Sequence, residues 1–422
     1  MKMSTADYKF SDRFSGHGIL HTPEGVRDVY NGECARKLAV QERMHKVLHS
    51  HGFHDIQTPM FEFFDIFNKE RGTVASKNMY KFFDREGNTL VLRPDITPSI
   101  ARCAAKYYKE EEFPIRLCYI GNTFINNSSY QGKLKEATQL GAELMNDDTS
   151  DADAEMIALT IECLQQSGLK EFQVEVGHAE FFLGLVEEAN FAEEEINELK
   201  SLMMSKNLFG VEMIISEKEM PVDLKELFMK LPALFGTAEN LEYAKTKTKN
   251  KRALRAIDRL EKLHAILETY GLSDYVTFDL GMLSKYNYYT GIIFRAFTYG
   301  NGEPIVKGGR YNNLVEQFGK KAPAIGVAIE VDQLMAALSR QKIEEAEEEK
   351  DVLVLYPAAE RKSAISFANE LRKEGKKVAL VRKSSKKSLE EYEAYGNRSD
   401  FGTIYFVEKG NKISKLDSVK SV

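Results

Sequence analysis

Two strand-like runs, Ile115 to Phe124 and Lys135 to Leu144, flank a polar segment and commit the middle of this chain to a long hairpin. Side chains alternate between the faces of a strand, so Gln139, Gly141 and Glu143 share one face. A glycine between an amide and a carboxylate is expected to clear floor space for a small polar ligand. The ascending strand runs into Ile125-Asn126-Asn127, which carries no charge where a phosphate clamp would need one. A second hairpin, KFFDREGNTLVLRPD, turns about Glu86-Gly87-Asn88. Successive hairpins predict a largely antiparallel sheet.

Helices are expected on either side of these hairpins. Leu38, Met44, Val47 and Leu48 form a helical stripe that Gly52 terminates, and Pro98 opens the helix SIARCAAKYY. The first of these helices, which ends at Gly52, leads into FHDIQTPMFEF, read as a short strand carrying Pro59, an edge or interface residue because proline donates nothing to a ladder. Further along, a helix (AEMIALTIECLQQSG) and a strand (FQVEVG) precede a mainly helical insertion of about 181–270. Within it the lysine-rich TKTKNKR at 246–252 reads as a solvated loop or helix face. Strands return at YVTFDLGML, YYTGIIFRAFTYG and PIVKGG, then a helical RYNNLVEQFG and the strand-helix unit AIGVAIEVDQLMAALSR.

A charged run, QKIEEAEEEK at 341–350, is the expected linker between a domain of residues 1–340 and a smaller one of 351–422. The latter alternates apolar strands with helices, as parallel α/β units do. The fold class is therefore α/β in the α+β sense: an antiparallel sheet flanked by helices, plus a small C-terminal α/β domain.

At 422 residues and a net charge of -6, the chain has room for more than one core and no global bias toward nucleic acid. Cys34, Cys103, Cys118 and Cys163 contain no CxxC pair, so neither a zinc cluster nor a disulfide framework is expected, nor a cofactor. With no signal peptide or membrane-length apolar run in the sequence, a cytoplasmic protein is expected.

Chemistry concentrates in LRPDITPSIAR (92–102), the central hairpin, YNYYTGIIF (286–294) and GGRYNNLVEQFGKKAPAIGVAIEVDQL (308–334). Each alone is compatible with caps, turns or exposed strand residues. In this order, over roughly residues 20–335, they closely resemble class II histidyl-tRNA synthetases and their non-synthetase relatives. LRPDITP is similar to the family's LRPEGT segment, QLGAE to its histidine-facing strand, YNYYTG to LDYYTG and GGRYNNL to GGRYD. The resemblance implies a class II aminoacyl-tRNA synthetase-like sheet and a C-terminal domain like a shortened anticodon-binding domain. It also implies a histidine pocket. Asp95 and Thr97 would meet the ammonium, Gln139 the ammonium and carboxylate, and Glu143 with Tyr288 or Tyr289 the imidazole. Gly308 and Gly309 would let backbone approach the ligand. Asp95 shortens by a methylene the arm that is Glu in the family.

The arginines with which the synthetases neutralise ATP are replaced. The motif 2 FRxE pattern falls on Phe124-Ile125-Asn126-Asn127, the motif 3 arginine on Gln333 after Asp332, and the RGLDYYTG arginine on Ser284. One oriented donor of this kind is worth about 2.7–4 kcal/mol in well-studied cases, so amino-acid activation is not expected. A retained histidine pocket beside an eroded ATP site resembles the ATP phosphoribosyltransferase regulatory-subunit family. That resemblance implies a non-catalytic protein with a short-form catalytic ATP phosphoribosyltransferase partner. It further implies L-histidine as feedback effector and a homodimer core within a hetero-oligomer. The alternatives are a divergent histidyl-tRNA synthetase with phosphate ligands relocated to Lys133, Lys135 or Arg295, and a tRNA-binding paralogue.

Overall fold

The computed structural model describes residues 20–67, 74–127, 134–283, 288–343, 350–410 and 412–416. The chain forms two compact units, Met1–Ile343 and Glu344–Val422. Residues 344–349 of the expected linker lie outside the described residues.

The first unit begins with α1 (Asn31–Ser50), which buries Val40, Met44, Val47 and Leu48 and is followed by Gly52 at φ +77°. Leu38, expected on the buried stripe, is 59% exposed; Val40 takes its place in the core. The stretch expected to be one Pro59-bearing strand is two short ones, β1 (His54–Asp55) and β2 (Phe61–Phe63), with Pro59 in the loop between them. Lacking an N–H, proline interrupts pairing. The Arg93 guanidinium holds that loop from inside, donating to Thr58 O at 2.9 Å and Asn122 O at 2.8 Å.

Next, β3 (Lys81–Phe83) and β4 (Thr89–Leu92) form the expected hairpin, its turn held by Asn88 N–H donating to Asp84 at 2.8 Å and by Gly87 at φ +85°. The helix α2 (Thr97–Tyr107) carries Pro98 in its first turn. The long hairpin follows as β5 (Ile115–Phe124) and β6 (Glu136–Met145), antiparallel from Ile115↔Met145 to Phe124↔Glu136.

Beyond it come α3 (Ser150–Gln166), β7 (Phe172–His178) and the helical insertion: α4 (Ala179–Glu188), α5 (Glu193–Met204), α6 (Leu208–Glu217), α7 (Val222–Lys230), the short β8 (Phe235–Gly236), α8 (Glu239–Lys247) and α9 (Lys251–Tyr270). The lysine-rich run supplies the start of α9. Asn250 caps it by accepting from Arg252 and Ala253 N–H at 2.7 and 3.1 Å, while Lys247 pairs with Asp223 and Glu226, each at 2.9 Å.

The unit closes with β9 (Val276–Asp279), β10 (Ile292–Thr298), β11 (Val306–Arg310), β12 (Ala324–Glu330) and α10 (Val331–Arg340). RYNNLVEQFG, expected to be helical, is mostly turn, with one short 3-10 segment at Glu316–Phe318. Its first residues bond outward instead of along a helix. Tyr311 N–H donates to Ala324 O at 2.7 Å and Asn312 N–H to Thr290 Oγ1 at 2.9 Å.

The main sheet runs β1-β5-β6-β12-β11-β10-β7-β9-β8. Its centre, from β5 to β7, is antiparallel, whereas β1 joins β5 and β9 joins β7 in parallel. Period-two alternation divides its residues between two cores. Leu140, Ala142 and Leu144 of β6 pack with α1, α3 and α9, while Leu117 and Tyr119 of β5 pack on the other face with Ile96, just before α2, and Ile100 of α2. Gln139, Gly141 and Glu143 share that second face.

The second unit contains β13 (Val352–Tyr356), α11 (Arg361–Lys373), β14 (Val378–Arg382), α12 (Leu389–Arg398), β15 (Thr403–Val407) and β16 (Ile413–Leu416). The strand order is β14-β13-β15-β16, with the first three parallel and β16 added antiparallel. No helix among the described residues is long and apolar enough to cross a membrane.

Candidate functional site

The α2 side of the main sheet holds a small polar cavity of about 70 Å³, roofed by α2 and the Tyr288–Tyr289 segment. At its floor is Glu143, 1% exposed. One carboxylate oxygen accepts from Thr97 Oγ1 at 2.8 Å, and the other from the Tyr311 hydroxyl. Burial pushes Glu143 up to about 8, the two hydroxyl donors working against the rise and the nearby Asp95 charge adding to it.

Asp95 precedes α2 and accepts from Thr97 N–H at 3.3 Å, tying the helix start to the pocket. Its second oxygen accepts from the Tyr288 hydroxyl at 3.3 Å. Tyr288 packs edge-on against Tyr289 and Tyr311, with ring centroids 4.9 and 5.8 Å away. Farther along β6, Gln139 Nε2 donates to Glu330 at 3.3 Å, and Lys307 pairs with the same carboxylate oxygen at 3.0 Å. Gln139 Oε1 is buried and, among the described residues, accepts no hydrogen bond. Gln139 as a residue lines the cavity.

Asp95, Thr97, Gln139, Glu143, Tyr288 and Tyr289 thus line one cavity. Gly308 and Gly309 do not; they stand one layer back. A Cβ on Gly308 would lie 2.2 Å from the Phe294 ring, and one on Gly309 would lie 2.7 Å from the Tyr289 ring. Their function is to let those rings pack. Gly141 likewise clears no ligand space, since its missing side chain is replaced by Tyr119, whose hydroxyl would be 2.5 Å from a Cβ there. The glycine that opens the site is Gly326, where a Cβ would meet Glu143 Oε2 at 1.7 Å.

Tyr311, Lys307 and Glu330 were not singled out from the sequence. Tyr311 follows the glycine pair in GGRYNNL. The other signal was the alternation along β12, because Gly326, Ala328 and Glu330 are the register partners of Glu143, Gly141 and Gln139. No local pattern supplies that register.

Two of the three phosphate-side positions lie among the described residues. Ile125 lines the cavity, and Gln333 lies partly buried on α10 beside Asp332, whose carboxylate accepts from Lys37 and Thr138 N–H, each at 2.7 Å. Ser284 and Lys133 lie outside the described residues. Lys135 and Arg295 do not line the cavity, and Arg295 faces Asp279 at 3.9 Å. Among the described lining residues Lys307 is the one cation, set against the carboxyls of Asp95, Glu143 and Glu330. Such a cavity suits an ammonium and an imidazole and repels a triphosphate.

A family model described as histidyl-tRNA synthetase matches residues 25–334. Among curated proteins, an ATP phosphoribosyltransferase regulatory subunit of Acetivibrio thermocellus is 43% identical, covering 86% of this chain and 86% of its own. A protein of the same name from Ruminiclostridium cellulolyticum is 40% identical over 94% of each chain. Among solved structures, an ATP phosphoribosyltransferase regulatory subunit/histidyl-tRNA synthetase from Bacillus halodurans C superposes with a TM-score of 0.83 at 29% identity, covering 92% of this chain and 98% of that one. The histidyl-tRNA synthetase of Nostoc sp. PCC 7120, at 17% identity and a TM-score of 0.78 over 94% of this chain and 97% of that one, shares the fold.

Proposed function

Since the chain belongs to the ATP phosphoribosyltransferase regulatory subunits, built on the histidyl-tRNA synthetase fold, we propose that it binds L-histidine around Glu143 without activating it. The carrying observation is the charge arrangement of the cavity: a buried carboxyl, an unsatisfied amide oxygen on Gln139 and two further carboxylates, with Ile125 where the synthetase pattern has arginine. Glu143 meets the imidazole, Asp95 and Gln139 the ammonium. Lys307 is placed to turn from Glu330 toward the ligand carboxylate. At about 70 Å³ the cavity has room on the order of two waters, so an amino acid enters by displacing contacts such as the long Tyr288–Asp95 bond.

On this reading the chain activates a short-form catalytic ATP phosphoribosyltransferase and transmits histidine inhibition to it. The test is formation of phosphoribosyl-ATP from ATP and phosphoribosyl pyrophosphate by the short catalytic subunit of the same genome. Activity is expected to require this chain and to fall as histidine is added. Activity independent of the chain removes the activating role; activity that histidine leaves unchanged removes the sensing role. Histidine-dependent exchange of pyrophosphate with ATP would instead establish a synthetase, and is expected to be absent.

A homodimer core forms part of the proposal. Tyr30 just before α1, Leu38 on it, and Met60, Phe61 and Phe63 in the following loop and strand are all more than half exposed, and Leu38 and Met60 line one groove. Sedimentation at micromolar concentration is expected to give the mass of a dimer, and Leu38→Lys with Met60→Glu to shift it toward the monomer. A wild-type monomer at that concentration would remove the homodimer.

A further inference from the structure

At the far end of α1 from its start, two histidines, an aspartate and a cysteine converge outside the pocket. His45 and His49 are one helical turn apart, so their rings meet on one face, tilted at 52° with centroids 4.1 Å apart. Gly52 then reverses the chain into β1, which brings Asp55 back beneath them. His45 Nε2 lies 2.5 Å from one Asp55 carboxylate oxygen and His49 Nε2 lies 3.0 Å from the other. The fourth member comes from the neighbouring strand. Cys118 is the register partner of Asp55 in the parallel β1–β5 pair, and its Sγ is 3.6 Å from Asp55 Oδ1. The ligand atoms of all four residues lie within 4.8 Å of one another.

We propose that His45, His49, Asp55 and Cys118 form a binding site for a divalent transition metal of the zinc class. Two imidazole nitrogens, one thiolate and one carboxylate make a complete tetrahedral set of the kind zinc selects. Ligands at 2.0–2.3 Å from an ion are separated by roughly 3.3–3.8 Å, so side-chain rotation of about 1 Å closes the cluster around one centre. The charges also balance. Binding releases the thiol proton of Cys118, and a dication with one thiolate and one carboxylate is neutral, which permits its place over the buried Cys118.

Bound there, the ion ties the last turns of α1 to the edge strand β1 and to β5. Local sequence gave no sign of it, since the spacing His45-x3-His49-x5-Asp55 is completed by a cysteine more than sixty residues later.

The test uses the tag-free full chain with Co²⁺ as spectroscopic probe and Zn²⁺ in competition. One Co²⁺ per chain is expected, with tetrahedral d–d bands and a thiolate-to-cobalt charge-transfer band, both displaced by Zn²⁺. Cys118→Ser is expected to abolish the charge-transfer band. His45→Gln and His49→Gln are expected to weaken Zn²⁺ binding by at least about tenfold, since even losing a residue that supports a ligand costs 10–100-fold. Zn²⁺ is expected to raise the melting temperature of the wild type but not of His49→Gln. Absence of the thiolate band, or its survival in Cys118→Ser, would overturn the site. If Cys118→Ser fails to fold, the two histidine variants decide: unchanged Co²⁺ spectra and affinity in both overturn it equally.

Discussion

Glu143→Ala is expected to weaken L-histidine binding at least about 100-fold in titration calorimetry. A charge-assisted hydrogen bond in a buried site contributes about 1.5–3 kcal/mol, and the substitution also strips Thr97 and Tyr311 of their common acceptor. Tyr311 and Thr97 are buried, so neither hydroxyl recovers a water at no cost. Near-wild-type affinity in Glu143→Ala would remove histidine from this pocket and move the sensor elsewhere.

The same residue gives the binding a pH signature. With Glu143 raised to about 8 by burial, the empty pocket holds it protonated at neutral pH. A protonated carboxyl with neutral imidazole and a carboxylate with imidazolium contain the same single proton. Between about 6.5, the ordinary histidine value, and about 8, binding therefore neither takes up nor releases a proton at this pair. Below that window the free ligand brings a second proton that must leave; above it Glu143 has lost the one it needs. Affinity is expected to plateau within the window and to fall by up to tenfold per pH unit on each side. The groups facing Glu143 are Asp95, Thr97, Tyr119 and Tyr311, and burial holds both tyrosines well above the usual phenol range. Neither tyrosine therefore ionises in that span to mimic the alkaline limb. Glu143→Gln is expected to retain weakened binding and lose that limb.

Asp153→Ala is expected to destabilise the first unit by about 3–5 kcal/mol, the usual cost of leaving a buried charge unpaired. Arg310 and Asp153 are 1% and 0% exposed, joined through Arg310 Nε and Nη2 at 2.8 and 2.7 Å. The other Asp153 oxygen accepts from Arg259 at 2.6 Å, so one substitution leaves two guanidiniums facing each other. His178 adds no charge there, because burial and the two arginines push it down to about 3. Urea unfolding monitored on this unit measures the loss. The double variant Asp153→Leu with Arg310→Met is expected to be less destabilised than the sum of the single changes, since it removes both charges together. A loss in Asp153→Ala below about 1 kcal/mol would show that water or Asp148 already compensates Arg310.

GGRY resembles a ligand motif, yet its arginine braces the start of α3 and only its tyrosine reaches the cavity. The motif marks the place correctly, and the division of labour within it follows from which strand neighbours each residue meets.

What the sequence determined by itself is whatever depends on near neighbours along the chain. Alternation along β6 put Gln139 and Glu143 on one face, Pro98 opened α2, Gly52 closed α1, and the C-terminal alternation of strand and helix produced parallel pairing. The ordered motifs marked the kinship that the relatives bear out. Only the tertiary structure decided which glycine opens the cavity and which ones lie under rings. A missing side chain leaves space that belongs to whatever lies across the strand, and for Glu143 that neighbour is Gly326, fixed by register across strands far apart in the chain. The same holds for Lys307 and Glu330 at the pocket and for Cys118 beside Asp55. Period and propensity set which way a side chain faces, but pairing between distant strands sets what it faces, and that information is carried by no local stretch of residues.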